Sequence, residues 1–233
     1  MSVDIISRVS ISLHPATVSK IDGYSEATKG YVVGTERVLH EAYSGVGSVH
    51  AAMDAAIKDP TLNEAARVIK VDDLAQRVWK KLAPKFDAER VNLEKGIAHL
   101  EAQLNAPVQA KASHFLASEV RAFVKAMPHN ERVFFVRAAI LRGDDVTASA
   151  VLGAPAFLSG IPDDMLPVLT VMYREHNAPD DAAKLKTMKG AKALIEERGG
   201  LIFRELEAAV GRQPHEVRHL REAKARSDKA FAV

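Results

Sequence analysis

The N-terminal stretch of the chain alternates between apolar and polar positions. One parity holds the apolar side chains Val3, Ile5, Val9, Ile11 and Leu13. Such alternation places apolar side chains on one face of an extended chain, so it predicts a β-strand with one buried face over residues 3–13. The run Tyr-Val-Val-Gly at 31–34 is a candidate for a second, short strand.

From about residue 36 onward, apolar residues recur every three or four positions, which is the spacing of one helix face. The predicted fold class is mainly α: a multi-helix bundle with a helical hairpin at 61–105, long C-terminal helices and one N-terminal β-strand arm. The other predicted helices are 36–58, 111–127, 128–141, 144–152, 162–176, 179–211 and a last one from Pro214, with Val217, Leu220 and Phe231 as its apolar anchors.

The hairpin is predicted from capping residues and prolines. Thr61 and Glu64 have the spacing of a capping box, which would start its first helix. Pro84 lacks a backbone N–H, so the second helix is expected to start there and to end at Pro107. Apolar residues over 86–104 follow coiled-coil spacing, and a short coiled coil is the alternative. These breaks predict three segments: an N-terminal arm with the first helix (1–58), the hairpin (59–106) and a C-terminal helical domain (107–233).

The helix predicted at 179–211 contains two adjacent glycines. Its apolar stripe keeps the same phase at Ile195 and Ile202, on either side of Gly199 and Gly200, so the pattern predicts one continuous helix. Gly199 lies on the stripe itself. We therefore expect Gly199 to allow the close approach of another helix.

Composition narrows the possible function classes. Of the 233 residues, 47% are hydrophobic and 27% are charged, which is ordinary for a soluble protein. The sequence has no cysteine, which excludes disulfides, iron–sulfur clusters and thiol catalysis and is typical of a reducing compartment. No secretory signal is visible, and the longest uncharged stretch, 146–162, is interrupted by Gly and Pro and is too short to span a membrane. We expect a soluble protein without a membrane partner.

Positive charge is concentrated near the C-terminus. The net charge is only +2, but residues 184–233 contain twelve Lys and Arg against seven Asp and Glu. Lys184, Lys186, Lys189 and Lys192 spread around much of the helix, which is typical of a solvated face. Nucleic acid or an acidic partner bound by this basic region is the alternative.

One catalytic motif occurs, HEVRH at 215–219. In zinc hydrolases with the H-E-x-x-H pattern, two histidines bind zinc and the glutamate activates the bound water. These residues would be His215, Glu216 and His219, but the downstream position of a third ligand is Ala225, and Arg218 would oppose a bound cation. We interpret the motif as a chance match at an exposed helix start, and a zinc hydrolase remains the minor alternative.

Two short helices around a turn at 143–164 have the outline of a DNA-binding helix-turn-helix. No Lys or Arg occurs between Arg142 and Arg174, whereas a recognition helix needs cations for phosphates and base edges. A packed helical corner with Asp caps is favoured. Trp79 lies near a helix stripe and is expected in the core. The sequence therefore assigns no catalytic, cofactor-binding or metal residue, and we predict that the protein is not an enzyme.

The stretch LRGDDVTASAVLGAPAFLSGI contains a Gly-Ala-Pro-aromatic-Leu-Ser-Gly turn after a helix. It resembles small, uncharacterised, all-helical proteins encoded by phages and prophages of proteobacteria, and the resemblance covers about residues 128–176. If the chain is related to them, the resemblance implies a virion or assembly protein and supplies no catalytic residue. The expected location is the cytoplasm, or the virion if the protein is phage-encoded.

The leading hypothesis is a non-enzymatic structural or assembly protein that packs against copies of itself or a larger complex. An unpaired strand is a template for another chain, so we expect residues 3–13 to pair with a neighbouring subunit. A nucleic-acid-associated protein and a zinc hydrolase are the two alternatives.

Overall fold

The computed structural model describes Ile6, residues 8–112 and residues 115–231. Throughout this part of the chain the regular structure is helical, and no strand is present. The α-helices are α1 (Val33–Lys58), α2 (Glu64–Ala112), α3 (Leu116–Ala126), α4 (His129–Leu141), α5 (Asp145–Leu152), α6 (Ala156–Ser159), α7 (Met165–Asn177), α8 (Pro179–Val210) and α9 (Pro214–Ala230). The mainly α, multi-helix fold predicted from the sequence is confirmed.

The chain forms two compact units. Unit 1 comprises Met1–Leu93 and Gly190–Val233, and unit 2 comprises Glu94–Lys189. Helices α2 and α8 contribute residues to both units, because each crosses a boundary between them. These bounds differ from the three segments predicted from the sequence.

The predicted N-terminal β-strand is wrong for the described residues of 3–13, while residues 3–5 and 7 lie outside them. Ile11–Leu13 and Pro15–Lys20 are 3-10 helices. Val9 and Leu13 are buried, but Ile11 between them is 57% exposed, so the buried side chains do not recur with period two. The second predicted strand at 31–34 is also wrong, because Lys29–Val32 is a 3-10 helix that leads into α1.

Side chains, and not a neighbouring strand, satisfy much of the backbone of this segment. The N–H of Ile6 donates to the hydroxyl of Tyr43 at 2.7 Å, and the N–H of Ser10 donates to Glu205 Oε2 at 3.0 Å. Further N–H groups form hydrogen bonds within local 3-10 turns. The N–H of Leu13, for example, donates to the carbonyl of Ser10 at 3.0 Å. A segment whose backbone groups are bonded within unit 1 has no need of a strand from another subunit.

The hairpin predicted at 61–105 is also wrong, because α2 is one helix that passes through Pro84 and Pro107. A proline inside a helix costs about 3 kcal/mol. The buried side chains of α2 keep helical spacing through the first proline, from Leu82 to Phe86 and Leu93. Packing of this continuous apolar stripe offsets the local cost.

The start of α2 differs from the predicted capping box. The side chain of Asn63 accepts a hydrogen bond from the N–H of Ala66 at 2.9 Å, which makes Asn63 the capping residue. Thr61 instead donates its hydroxyl to Asp59 at 2.6 Å. The helix predicted at 111–127 is divided between the end of α2 and α3, whereas α1, α4, α5, α7, α8 and the start of α9 are confirmed.

The core of unit 1 is built on α1. Leu39, Tyr43, Val46 and Val49 are fully buried and repeat along one helix face. Glu89 of α2 is buried as well, and its carboxylate accepts a hydrogen bond from the hydroxyl of Thr35 at 2.9 Å. The hydrogen bond offsets part of the cost of removing a carboxylate from water.

The core of unit 2 is an apolar cluster formed by α3, α4, α5 and α7. Its buried members include Val124, Ile140, Val151 and Leu169. Arg121 reinforces the cluster, since its guanidinium donates to the carbonyl of Ala150 at 2.9 Å. No helix in the part of the chain that the structure describes is both long and apolar enough to cross a bilayer.

Asp145, at the start of α5, joins three elements of unit 2. Its carboxylate pairs with Lys111 of α2 and accepts hydrogen bonds from the hydroxyl of Tyr173 at 3.1 Å and the amide of Asn177 at 3.3 Å. The hydrogen bond from Lys111 holds the pKa of Asp145 below its ordinary value. The folded state therefore favours the ionised carboxylate.

A lowered pKa in the folded state makes Asp145 stabilising above the ordinary Asp pKa of about 3.9, and this contribution is lost as pH falls through the folded pKa. We expect Asp145→Asn to lower the free energy of unfolding at pH 7 and to lower it less at pH 3. Urea unfolding at the two pH values measures the difference. Asp163→Asn, at an exposed position of the same unit, is the matched control and should change the free energy of unfolding at pH 7 by less than about 0.5 kcal/mol. An equal loss for Asp145→Asn at both pH values would contradict the prediction.

Gly199 does not have the packing role predicted for it. Helix α8 continues through Gly199 and Gly200, as expected, but a Cβ atom built on either glycine would meet no atom within 4 Å apart from its chain neighbours and the backbone of its own helix. The glycines that closely approach another helix lie elsewhere, notably Gly153 at the end of α5.

Candidate functional site

The HEVRH motif forms the first turns of α9. Glu216 takes part in a helix cap, because its carboxylate accepts the backbone N–H of Gln213 at 2.9 Å. That hydrogen bond and the nearby charge of Arg212 hold the pKa of Glu216 below its ordinary value. An ionised carboxylate that caps a backbone N–H in this way has a structural role at the start of the helix.

The two histidines of the motif have exposed side chains. His219 lies 3.7 Å from Glu222 of the next turn. Within the described ranges, no three His, Asp or Glu side chains are grouped so that they could hold a metal ion. The interpretation of HEVRH as a chance match stays a prediction, to be tested by the zinc content of the protein.

A groove of about 350 Å³ lies in unit 1 between α2, α8 and α9, and we call it the α2–α8–α9 groove. Trp79 and Phe203 form one wall, with ring centroids 5.9 Å apart and planes at 74°. The apolar lining is completed by Ala75, Leu206, Val210, Pro214 and Val217. Trp79 is therefore a half-buried wall residue and does not lie fully in the core as predicted.

Ion pairs fix the rim of this groove. Arg221 of α9 pairs with Asp72 and donates to Asp73 at 2.6 Å, which ties α9 to α2. These hydrogen bonds raise the pKa of Arg221 above its ordinary value. The pairs keep α9 beside α2 although only one α9 residue, Val217, is buried.

A second arginine of the rim is also paired. Arg212 pairs with Glu64 of α2 and with Glu216 of α9. Arg218 differs from both, because it is exposed and lines the groove, and no ion pair or hydrogen bond of its side chain occurs among the described residues. Glu207 of α8 is likewise an unpaired lining residue within the described chain. The groove thus combines an apolar floor with two charges available to a ligand.

Unit 2 presents a second candidate site, a set of exposed apolar side chains. Its most exposed phenylalanines are Phe115 (74%), Phe134 (69%), Phe157 (68%) and Phe123 (60%). Six further large apolar side chains of the unit are exposed: Leu116, Leu141, Val146, Leu158, Val168 and Val171. We call these ten residues the exposed apolar set of unit 2. Exposed apolar side chains mark an interaction surface where they adjoin one another, whereas single ones are ordinary.

Two members of the set share one face of α4. Phe134 and Leu141 are seven residues apart, with the half-buried Ala138 between them, so they form a stripe on the solvent side of the helix. Phe135 points the other way, toward Phe123 of α3, with ring centroids 5.7 Å apart. Of the two adjacent phenylalanines, Phe134 is therefore the one that faces solvent.

The segment 143–164 does not form a helix that could read DNA. Helix α6 has only four residues, and the turn that precedes α7 exposes Asp163 and Asp164. Negative side chains would repel the phosphate backbone. The interpretation of this segment as a packed helical corner agrees with its position in the core of unit 2, where Val151 and Ile161 are buried.

Several lysines of the basic C-terminal region are neutralised by acids. Lys184 pairs with Asp181, Lys189 pairs with Glu101 at 2.6 Å, and Lys192 lies 3.5 Å from Glu196. A lysine engaged with a carboxylate contributes less to an electrostatic surface for nucleic acid. The nucleic-acid hypothesis remains a prediction, and these ion pairs do not favour it.

Comparisons with models of protein families, with curated proteins and with solved structures find no match to this chain. Its function must therefore be inferred from the chemistry and geometry of its own residues.

Proposed function

We propose that the protein is a non-enzymatic assembly protein that acts by packing unit 2 against other copies of itself, as in a phage particle or a similar complex. The observation that carries the proposal is the exposed apolar set of unit 2. Its four phenylalanines are more than half exposed, and they are half of the eight phenylalanines in the chain.

Burial of these side chains supplies the free energy for association. Moving one phenylalanine from water into an interface contributes about 1.5–3 kcal/mol. Aromatic residues are enriched in the centres of interfaces, where few large side chains supply most of the binding energy. The stripe formed by Phe134 and Leu141 offers such a centre on α4.

Charge and sequence resemblance favour a second copy as the partner. Unit 2 contains eleven Lys and Arg and eleven Asp and Glu, so two copies of this unit do not repel one another through net charge. The stretch 128–176, which resembles helical phage proteins, lies entirely within unit 2 and includes α4, α5, α6 and all but the last residue of α7. This resemblance supports an assembly role.

Light scattering of the purified protein over a range of concentrations tests the proposal. We expect a homo-oligomer for the unaltered chain and a shift toward the monomer for Phe134→Ser and Phe157→Ser. Ile57→Ser is the matched control, because Ile57 is 57% exposed but belongs to unit 1, and it should leave the mass unchanged. A monomer at the highest soluble concentration, or an oligomer that neither phenylalanine variant weakens, would overturn the proposal.

A further inference from the structure

We propose that the α2–α8–α9 groove binds a small amphipathic carboxylate, whose apolar part lies against Trp79 and Phe203 and whose carboxylate pairs with Arg218. This site lies in unit 1 and does not depend on the assembly role of unit 2. The inference rests on the size of the groove, its aromatic wall and the charges of its rim.

The size of the groove fits a small molecule. Its volume of about 350 Å³ lies near the lower end of the range of about 300–1,000 Å³ typical of small-molecule sites. Apart from Arg212, the lining residues lie within 72–79, 203–210 and 214–221, so each helix contributes about two turns, or roughly 10 Å. A groove this short offers little length for a docked helix of another protein.

The wall of the groove presents apolar surface to an occupant. Phe203 is 46% exposed and stands edge-on to Trp79, which leaves aromatic surface open toward the groove. Leu206 and Val217 also line the groove and are buried. An alkyl chain or a ring that covers this wall would be removed from water together with it.

One arginine of the rim favours a carboxylate as the polar group. Three arginines and two acids line the groove, and Arg212 and Arg221 also pair with three further acids, so the rim as a whole carries no excess of positive charge. Arg212 and Arg221 are already paired, so Arg218 is the arginine of the lining that an incoming group can bind. Its guanidinium can donate two parallel hydrogen bonds to one carboxylate. The negative charge of Glu207 opposes a bound anion, so removal of this charge should strengthen the binding of a carboxylate.

Trp79 provides a direct readout, because it is the one tryptophan of the chain. The experiment titrates the full-length protein with octanoate, octylammonium or octan-1-ol below their aggregation concentrations and follows tryptophan fluorescence. The three probes share one alkyl chain and differ in charge. We expect octanoate to change the emission in a saturable way, and we expect the other two to bind about tenfold more weakly.

Three variants test whether the binding depends on the rim. Arg218→Gln should weaken octanoate binding about fivefold, and Glu207→Gln should strengthen it, because each removes one charge of opposite sign. Arg226→Gln is the matched control, since Arg226 is exposed on the same helix and does not line the groove, and it should bind as the unaltered chain does. Circular dichroism verifies that each variant is folded.

Each other result overturns the proposal. No saturable response of Trp79 to octanoate would show that the groove does not take such a ligand. Equal binding of octanoate and octylammonium, or unchanged binding by Arg218→Gln, would show that the rim does not select a carboxylate. Weaker octanoate binding by Glu207→Gln would show that Glu207 does not oppose the anion and that the charges of the rim do not select the ligand.

Discussion

Replacement of Gly153 by alanine is expected to lower the free energy of unfolding of unit 2 by about 1–3 kcal/mol, through overpacking. A Cβ atom at this position would lie 2.8 Å from the carbonyl oxygen of Val108 and 3.0 Å from that of Ser149, and it would also collide with the side chain of Ala112. Two of these neighbours are backbone atoms, which cannot move without shifting α2 or α5. The φ angle of Gly153 is −84°, so alanine meets no torsional obstacle, and the effect is one of space alone.

Gly199→Ala is the control for this measurement and should have the opposite sign. A methyl group there would enter open space on α8, and alanine in a helix interior is more favourable than glycine by about 0.5–1 kcal/mol. Urea unfolding of both variants beside the unaltered chain gives the two differences. Equal stabilities for the Gly153 and Gly199 variants would contradict the close approach of α2 to α5.

Tyr43→Ala is expected to lower the free energy of unfolding by about 3–5 kcal/mol, which is the range for removal of a large buried ring. Tyr43 is fully buried in α1, and its ring meets that of His14 edge-on, with centroids 5.0 Å apart. Its hydroxyl accepts the hydrogen bond from the backbone N–H of Ile6. The alanine variant therefore loses apolar packing and also the attachment of the N-terminal segment.

Tyr43→Phe separates the two contributions. It keeps the ring but leaves the N–H of Ile6 without its acceptor, at an expected cost of about 1–3 kcal/mol. Tyr24→Phe is the control, because no hydrogen bond of the Tyr24 hydroxyl occurs among the described residues, and its stability should stay within about 0.5 kcal/mol of the unaltered chain. Equilibrium urea unfolding measures all three variants. A Tyr43→Phe protein with the same free energy of unfolding as the unaltered chain would show that the hydroxyl does not anchor the N-terminal segment.

Long helices were predictable because their apolar periodicity is maintained over many turns. The 32 residues of α8 keep one phase through Gly199 and Gly200, and the structure contains that helix without a break. Pro84 shows the limit of such inference. Its local effect predicts a break, but the buried stripe on both sides of it is a tertiary property that a local rule does not include.

The prediction of an N-terminal strand was wrong for a related reason. Its apolar alternation is real in the sequence, but Ile11 faces solvent, and Tyr43 and Glu205 satisfy backbone groups that a strand would have paired. Those two partners lie 37 and 195 residues away along the chain. No pattern confined to eleven residues can indicate them.

The candidate groove was not predictable from a motif. Trp79, Phe203 and Arg218 come from three helices, and more than a hundred residues separate the first from the other two. The HEVRH motif is recognisable because its residues are adjacent in the sequence, yet its Glu216 serves as a cap of α9. The residues that form the groove carry no short signature, so only the fold brings them together.

The order of segments along the chain has a consequence for synthesis. Unit 2 is one continuous stretch, whereas unit 1 needs both Met1–Leu93 and Gly190–Val233. A ribosome therefore synthesises all of Glu94–Lys189 before the last two thirds of α8 and the whole of α9. Domains tend to fold as units while the chain emerges, so unit 2 can fold first. Until then the first part of α2 exposes an apolar face that Leu206 and Val217 later help to cover, and a nascent chain stalled near residue 190 would present this face to chaperones.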